Sequence, residues 1–126
     1  MIEMNLFSES YAQARGRFLE ACGYPGAAVE GHQNLNSDPA QRDLWTDVAL
    51  LGPPNADEVL VLCSGTHGVE GFCGSAIQTG LLQGGLSSRL ERQRAVLIHA
   101  LNPYGFANLR RANEDNVDLN RNFVDH

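Results

Sequence analysis

With 126 residues, the chain has room for one domain and a modest core, burying roughly two-thirds of the surface its unfolded form exposes. Hydrophobic residues make up 43% of it, which excludes a disordered chain. Nine basic against fifteen acidic residues leave a net charge of −6, and all nine are Arg; this gives no footprint for nucleic acid or an anionic membrane and excludes lysine-dependent chemistry.

The first predicted element is a helix from Ser8 to Cys22, with Ser8 as N-cap and Glu9 in the first turn. Tyr11, Ala14, Phe18, Leu19 and Cys22 form its apolar stripe, and Gly23 and Pro25 stop it. Residues 26–42 have no hydrophobic period and read as a loop. A strand is predicted over Leu44–Leu51, exposed near Thr46 and Asp47, with a turn at Gly52-Pro53-Pro54-Asn55. The continuous apolar run Val59–Cys63 suits a strand buried on both faces of a parallel sheet. A helix follows from Phe72 to Leu82, ended by Gly84-Gly85, and then a second buried strand from Ala95 to Leu101, stopped by Asn102-Pro103-Tyr104-Gly105.

Strand, helix and strand in this order make a right-handed βαβ unit. Its strands point the same way, so loops 64–71 and 102–121 leave at one carboxyl edge, where open α/β folds place ligand sites. The odd cysteine count, Cys22, Cys63 and Cys73, reads as reduced core thiols. No basic segment followed by an apolar one opens the chain, and no apolar run approaches roughly 18 residues. A soluble, cytoplasmic protein without nucleic-acid or membrane partners is expected.

The first of these loops reads Ser64-Gly65-Thr66-His67-Gly68-Val69-Glu70-Gly71. A tight turn into a helix aims His67 and Glu70 at one point, and an imidazole with a carboxylate suits Zn²⁺. A capped loop with a solvated Glu70 fits the same motif. Gly65, Gly68, Gly71 and Gly74 suit a sharp turn with close approach, but do not make a dinucleotide fingerprint. The second loop gathers Arg110, Arg111 and Arg121 with several Asn; Asn120-Arg121 offers amide and guanidinium donors to a carboxylate, or is simply part of a solvated loop.

His-Gly-Val-Glu-Gly after one strand, Asn-Pro-Tyr-Gly-Phe after the next, and Val-Asp-Leu-Asn-Arg-Asn-Phe beyond it resemble the zinc metallocarboxypeptidase family, most closely an uncharacterised bacterial branch. The succinylglutamate desuccinylase and aspartoacylase group is a more distant resemblance. The resemblance implies a three-layer α/β/α fold with a largely parallel central sheet. It implies one Zn²⁺ held by His67, Glu70 and a third ligand outside this chain. It gives Asn120 and Arg121 the substrate's terminal carboxylate, and Arg111 the scissile carbonyl. The substrate would be a peptide or an N-acyl amino acid with a free carboxylate, leaving an N-acyl amino acid deacylase as an alternative.

Members of that family take their third ligand, a His, and a catalytic Glu from a C-terminal half. Here the sequence stops at His126, so residues 1–126 are read as the N-terminal part of one such domain, truncated and inactive alone. His32 falls in an early loop, His99 reads as a satisfied core imidazole, and His126 is terminal. Two rivals stand beside the hydrolase: a non-catalytic carboxylate- or metal-binding module, and a thiol hydrolase using Cys73 with His67. The sequence leaves the oligomeric state open.

Overall fold

The computed structural model describes residues 5–24, 26–36 and 38–123. Helix α1 spans Tyr11–Gly23. Its cap is Ser10 rather than Ser8: Ser10 has the extended backbone a cap requires, and its hydroxyl accepts from the Gln13 amide at 3.2 Å. Tyr11, Ala14, Phe18 and Cys22 are buried as their spacing predicts, joined by Ala21, while Leu19 packs at the margin. Pro25 and His126 lie outside the described residues.

Residues 26–42 are not a loop throughout. Ala28–Asn34 form strand β1, which pairs antiparallel with β2, Leu44–Leu51, from Ala28↔Leu50 to Asn34↔Leu44. β1 is exposed along nearly its whole length, so no apolar alternation betrays it, and the backbone ladder to β2 makes it a strand. This also places His32 on an exposed strand.

β2 alternates as predicted, with one reversal: Asp47 is buried at 1% exposure. Burial is tolerated because Arg15 on α1 grips both its oxygens, at 2.7 and 3.0 Å. The Arg15 guanidinium also lies 5.0 Å over the half-buried Trp45 ring. The Tyr11 hydroxyl donates to the Trp45 carbonyl at 2.8 Å and accepts from the Trp45 amide at 2.7 Å.

The strand–helix–strand unit is present. β3, Glu58–Cys63, leads to α2, Gly71–Gln83, then a 3-10 turn, Leu86–Arg89, and β4, Gln93–His99, which lies parallel to β3. β3 is not the doubly buried strand expected. The sheet order is β1-β2-β4-β3, which puts β3 at an edge, with Val59, Leu60 and Val61 exposed by 59%, 45% and 53%. Cys63 is exposed with it and Cys73 is exposed on α2, so of the three thiols only Cys22 is a core residue. β4 is the interior strand, and Ala95, Leu97 and His99 are fully buried.

The sheet is mixed rather than largely parallel. β1–β2 and β2–β4 are antiparallel, and only β3–β4 is parallel. α1 and α2 pack on one face, where Phe18, Ala21, Cys22 and Leu82 meet Ala49, Leu51, Ala95 and Leu97. A second cluster joins Tyr11, Ala14, Leu44 and Ala100 to Tyr104 and Phe106 of a short helix α3, Pro103–Asn108. Neither cluster includes Val48, Leu50, Val96 or Ile98 of the opposite face, which stay half-buried. The described residues therefore form a small α/β domain of a four-stranded mixed sheet and three α-helices. No helix among them is long and apolar enough to cross a membrane.

Candidate active site

The two predicted loops do leave the sheet together. Beyond the strand ends, Ser64 N donates to Ile98 O at 2.9 Å, Leu101 N to Ser64 O at 2.8 Å, and Asn102 N to Gly65 O at 2.9 Å. Asn102-Pro103 ends the strand and starts α3: the Asn102 side chain caps it by accepting from Gly105 N at 2.8 Å, and Pro103 fills the first turn. The chain then returns so that Gly68 N donates to Arg110 O at 2.9 Å, and Arg110 N to Gly105 O at 2.8 Å. A Cβ on Gly68 would lie 2.3 Å from the Gly105 carbonyl oxygen. Glycine at 68 is what lets the His67 loop sit against the segment carrying Arg111.

His67 is half-buried between two carboxylates. Its Nε2 lies 2.9 Å from Asp118 Oδ1, and its Nδ1 lies 3.6 Å from the exposed Glu70 Oε1. The second Asp118 oxygen accepts from Arg111 Nε at 2.6 Å, and Oδ1 also accepts from the Asn120 amide at 3.0 Å. The Arg111 hydrogen bond, then the one from His67, hold the Asp118 carboxyl well below the usual carboxylate range. In turn, Asp118 raises the Arg111 guanidinium pKa. An ionised carboxylate only accepts, so in the neutral ring Nε2 carries the proton and Nδ1 presents a lone pair toward Glu70.

Of the sequence-predicted residues, His67, Glu70 and Arg111 are thus drawn into one constellation. Asn120 joins through its backbone amide. Arg121 lies on the same turn, its amide donating to Asp118 O at 2.9 Å, while its side chain is exposed and bonds the neighbouring Asn120 carbonyl at 3.1 Å. Arg110 is exposed and bonds Asn116. Sequence reasoning missed Asp118, the residue linking both loops. Its signal was present: an acid two places before Asn120, set apart from the Glu114-Asp115 pair in a loop otherwise rich in donors.

His99 is buried but only partly satisfied. Nε2 meets Ser75 Oγ at 2.9 Å, and Nδ1 has no hydrogen-bond partner among the described residues. No hydrogen bond joins Cys63 or Cys73 to His67 among the described residues. Among those residues, too, no three His, Cys, Asp or Glu side chains form a group able to hold a metal ion.

None of the curated proteins matches this chain. Residues 7–126, almost all of it, match the family described as "Protein of unknown function (DUF2817)", and the chain belongs to that family.

Proposed function

We propose that the chain carries part of the active site of a zinc-dependent hydrolase of carboxypeptidase type, cleaving an amide next to a free carboxylate. The observation that supports this most directly is the orientation of His67. Asp118 holds Nε2–H and leaves the Nδ1 lone pair facing Glu70 at 3.6 Å. Donors bound tetrahedrally at about 2.1 Å stand about 3.4 Å apart, so the pair matches one edge of a zinc tetrahedron. The carboxylate behind the imidazole is the arrangement that fixes ring orientation and raises ligand basicity in zinc sites. His67 and Glu70 would hold Zn²⁺, which when bound activates water and polarises a carbonyl.

The remaining roles fall to groups on the second loop. Arg111 spends Nε on Asp118, and its terminal nitrogens are suited to a carbonyl oxygen that gains charge. Asn120 and Arg121 are exposed on the same turn, suited to orient a carboxylate bidentately. A peptide or an N-acyl amino acid presents the amide and carboxylate this requires. The uncovered sheet face and the β3 edge support a further proposal: residues 1–126 are the N-terminal part of a larger domain whose remaining layer supplies the third zinc ligand, the catalytic Glu and the three-layer, largely parallel architecture.

Zinc titration tests the metal part. The chain should bind Zn²⁺ weakly, and His67→Ala or Glu70→Ala should abolish that binding; uptake indifferent to both substitutions would remove the metal reading. Kinetics in an active, longer form test the carboxylate part. Arg121→Lys should cost about 1–3 kcal/mol on a substrate with a free carboxylate, the scale of a charged hydrogen bond, and little on its amide. Equal losses on both would assign Arg121 another role.

A further inference from the structure

His99 ends β4 and is wholly buried. Its ring stacks on Phe18, with centroids 4.5 Å apart and planes 18° from parallel, and stands 6.2 Å from Phe106. A neutral imidazole can leave one nitrogen idle, as here; an imidazolium carries two N–H donors and needs two acceptors. Among the described residues, only Ser75 Oγ is within hydrogen-bond reach of the ring. The charged groups facing His99 are its cross-strand partner Asp47 on β2 and Arg15 on α1. They are spent on one another, since Arg15 takes both Asp47 oxygens. α2 and α3 present Ser75 and Phe106, neither of them charged. A charged ring therefore has no place in the closed structure.

What adjoins His99 gives this a functional direction. Ala100, with φ of 57°, turns the chain out of β4, and the next two amides, Leu101 and Asn102, bind the Ser64 and Gly65 carbonyls. That crossing supports the His67 loop on one side and leads into α3 and the Arg111–Asp118 segment on the other.

We propose that His99 is an acid-sensitive switch beneath the site: neutral, it lets residues 100–102 close on residues 64–65; protonated, it must reach water, and the crossing opens. The direction follows from burial, which lowers the ring's pKa from 6.5 to about 4, with Asp47 opposing and Arg15 assisting. The open form takes its proton near the ordinary value. Closure is therefore complete above 6.5 and is lost as pH falls from there toward 4.

Amide hydrogen exchange of the 126-residue chain at Leu101 and Asn102, corrected for intrinsic rates, tests the switch. Protection should fall about 30-fold between pH 7.5 and pH 5, given a proton taken at 6.5 when open and about 4 when closed. In His99→Phe/Ser75→Ala, which removes the titrating ring and its hydroxyl partner together, protection should not change with pH. Constant protection in the wild type, or an equal fall in the double variant, overturns the proposal. Should that variant not fold, the wild-type His99 ring shifts decide: protonation near 6.5 with the Leu101 and Asn102 amides still protected overturns it, and a ring that stays neutral while they are protected supports it.

Discussion

Asp118 carries more of the candidate site than its neighbours do. One side chain fixes the His67 tautomer, pairs with the Arg111 guanidinium and ties down the Asn120 amide. Asp118→Asn would set an amide group, part donor and part acceptor, where three donors already converge, so either Arg111, or His67 with the Asn120 amide, loses its acceptor. Zinc affinity should drop roughly 10- to 100-fold, the usual cost of removing a partner behind a metal-ligating histidine, while far-UV circular dichroism stays unchanged; a zinc titration of the two proteins checks it. His67 and Glu70 were legible in sequence because two intervening residues bring them together locally. Asp118 stands 51 residues from His67, and its part depends on where the second loop folds back, which no local pattern encodes. Asp47 was misjudged for the same reason, its burial resting on Arg15 from another element.

Elements were legible where they bury an alternating or helical stripe, and illegible where they do not. α1, α2, β2 and β4 all put apolar residues into the core at their own period. β1 buries almost nothing, and β3, whose composition is that of a central strand, lies at an edge. Hydrophobicity reports what a strand is fit to contact, and strand order decides what it meets. Two glycines, one in a site loop and one in α1, add a test. Gly68→Ala drives a Cβ to 2.3 Å from the Gly105 carbonyl oxygen and 2.6 Å from Arg110 N, so the two site loops must part. It should destabilise the chain by about 1–3 kcal/mol. Gly16→Ala, exposed within α1 with nothing within 4 Å of the added carbon, should instead stabilise by about 0.5–1 kcal/mol. Urea denaturation of the pair separates the two signs.

On the scale of the whole molecule, apolar surface is unevenly covered. The helices shield one face of the sheet, the opposite face is half-buried, and β3 offers a backbone edge, unpaired among the described residues, lined by Val59 and Val61. Such an edge is a template for pairing, and the chain at neutral pH should self-associate with rising concentration despite its charge of −6. Val61→Lys places a charge on that edge at a site already 53% exposed. It should reduce light scattering and the large species seen by size-exclusion chromatography, with a change in stability within about 0.5 kcal/mol. Association that persists unchanged would locate the sticky surface elsewhere.

The Tyr11 hydroxyl, bonded to both the carbonyl and the amide of Trp45, sets an alkaline limit on the fold. It acts as a substitute rung beyond the Asp47↔His99 pair, where β4 ends and the backbone of β2 meets no further strand among the described residues on that side. Burial pushes its pKa up to about 12, against 10 for an ordinary tyrosine. The unfolded chain therefore gives up this proton first, and stability, complete below 10, drains away as pH climbs toward 12, by up to about 3 kcal/mol. Since Trp45 is the single tryptophan of the chain, its fluorescence watches this one rung: emission should shift together with tyrosinate absorbance across that interval in the wild type. In Tyr11→Phe the shift should come at lower denaturant even at neutral pH, because the rung is already gone.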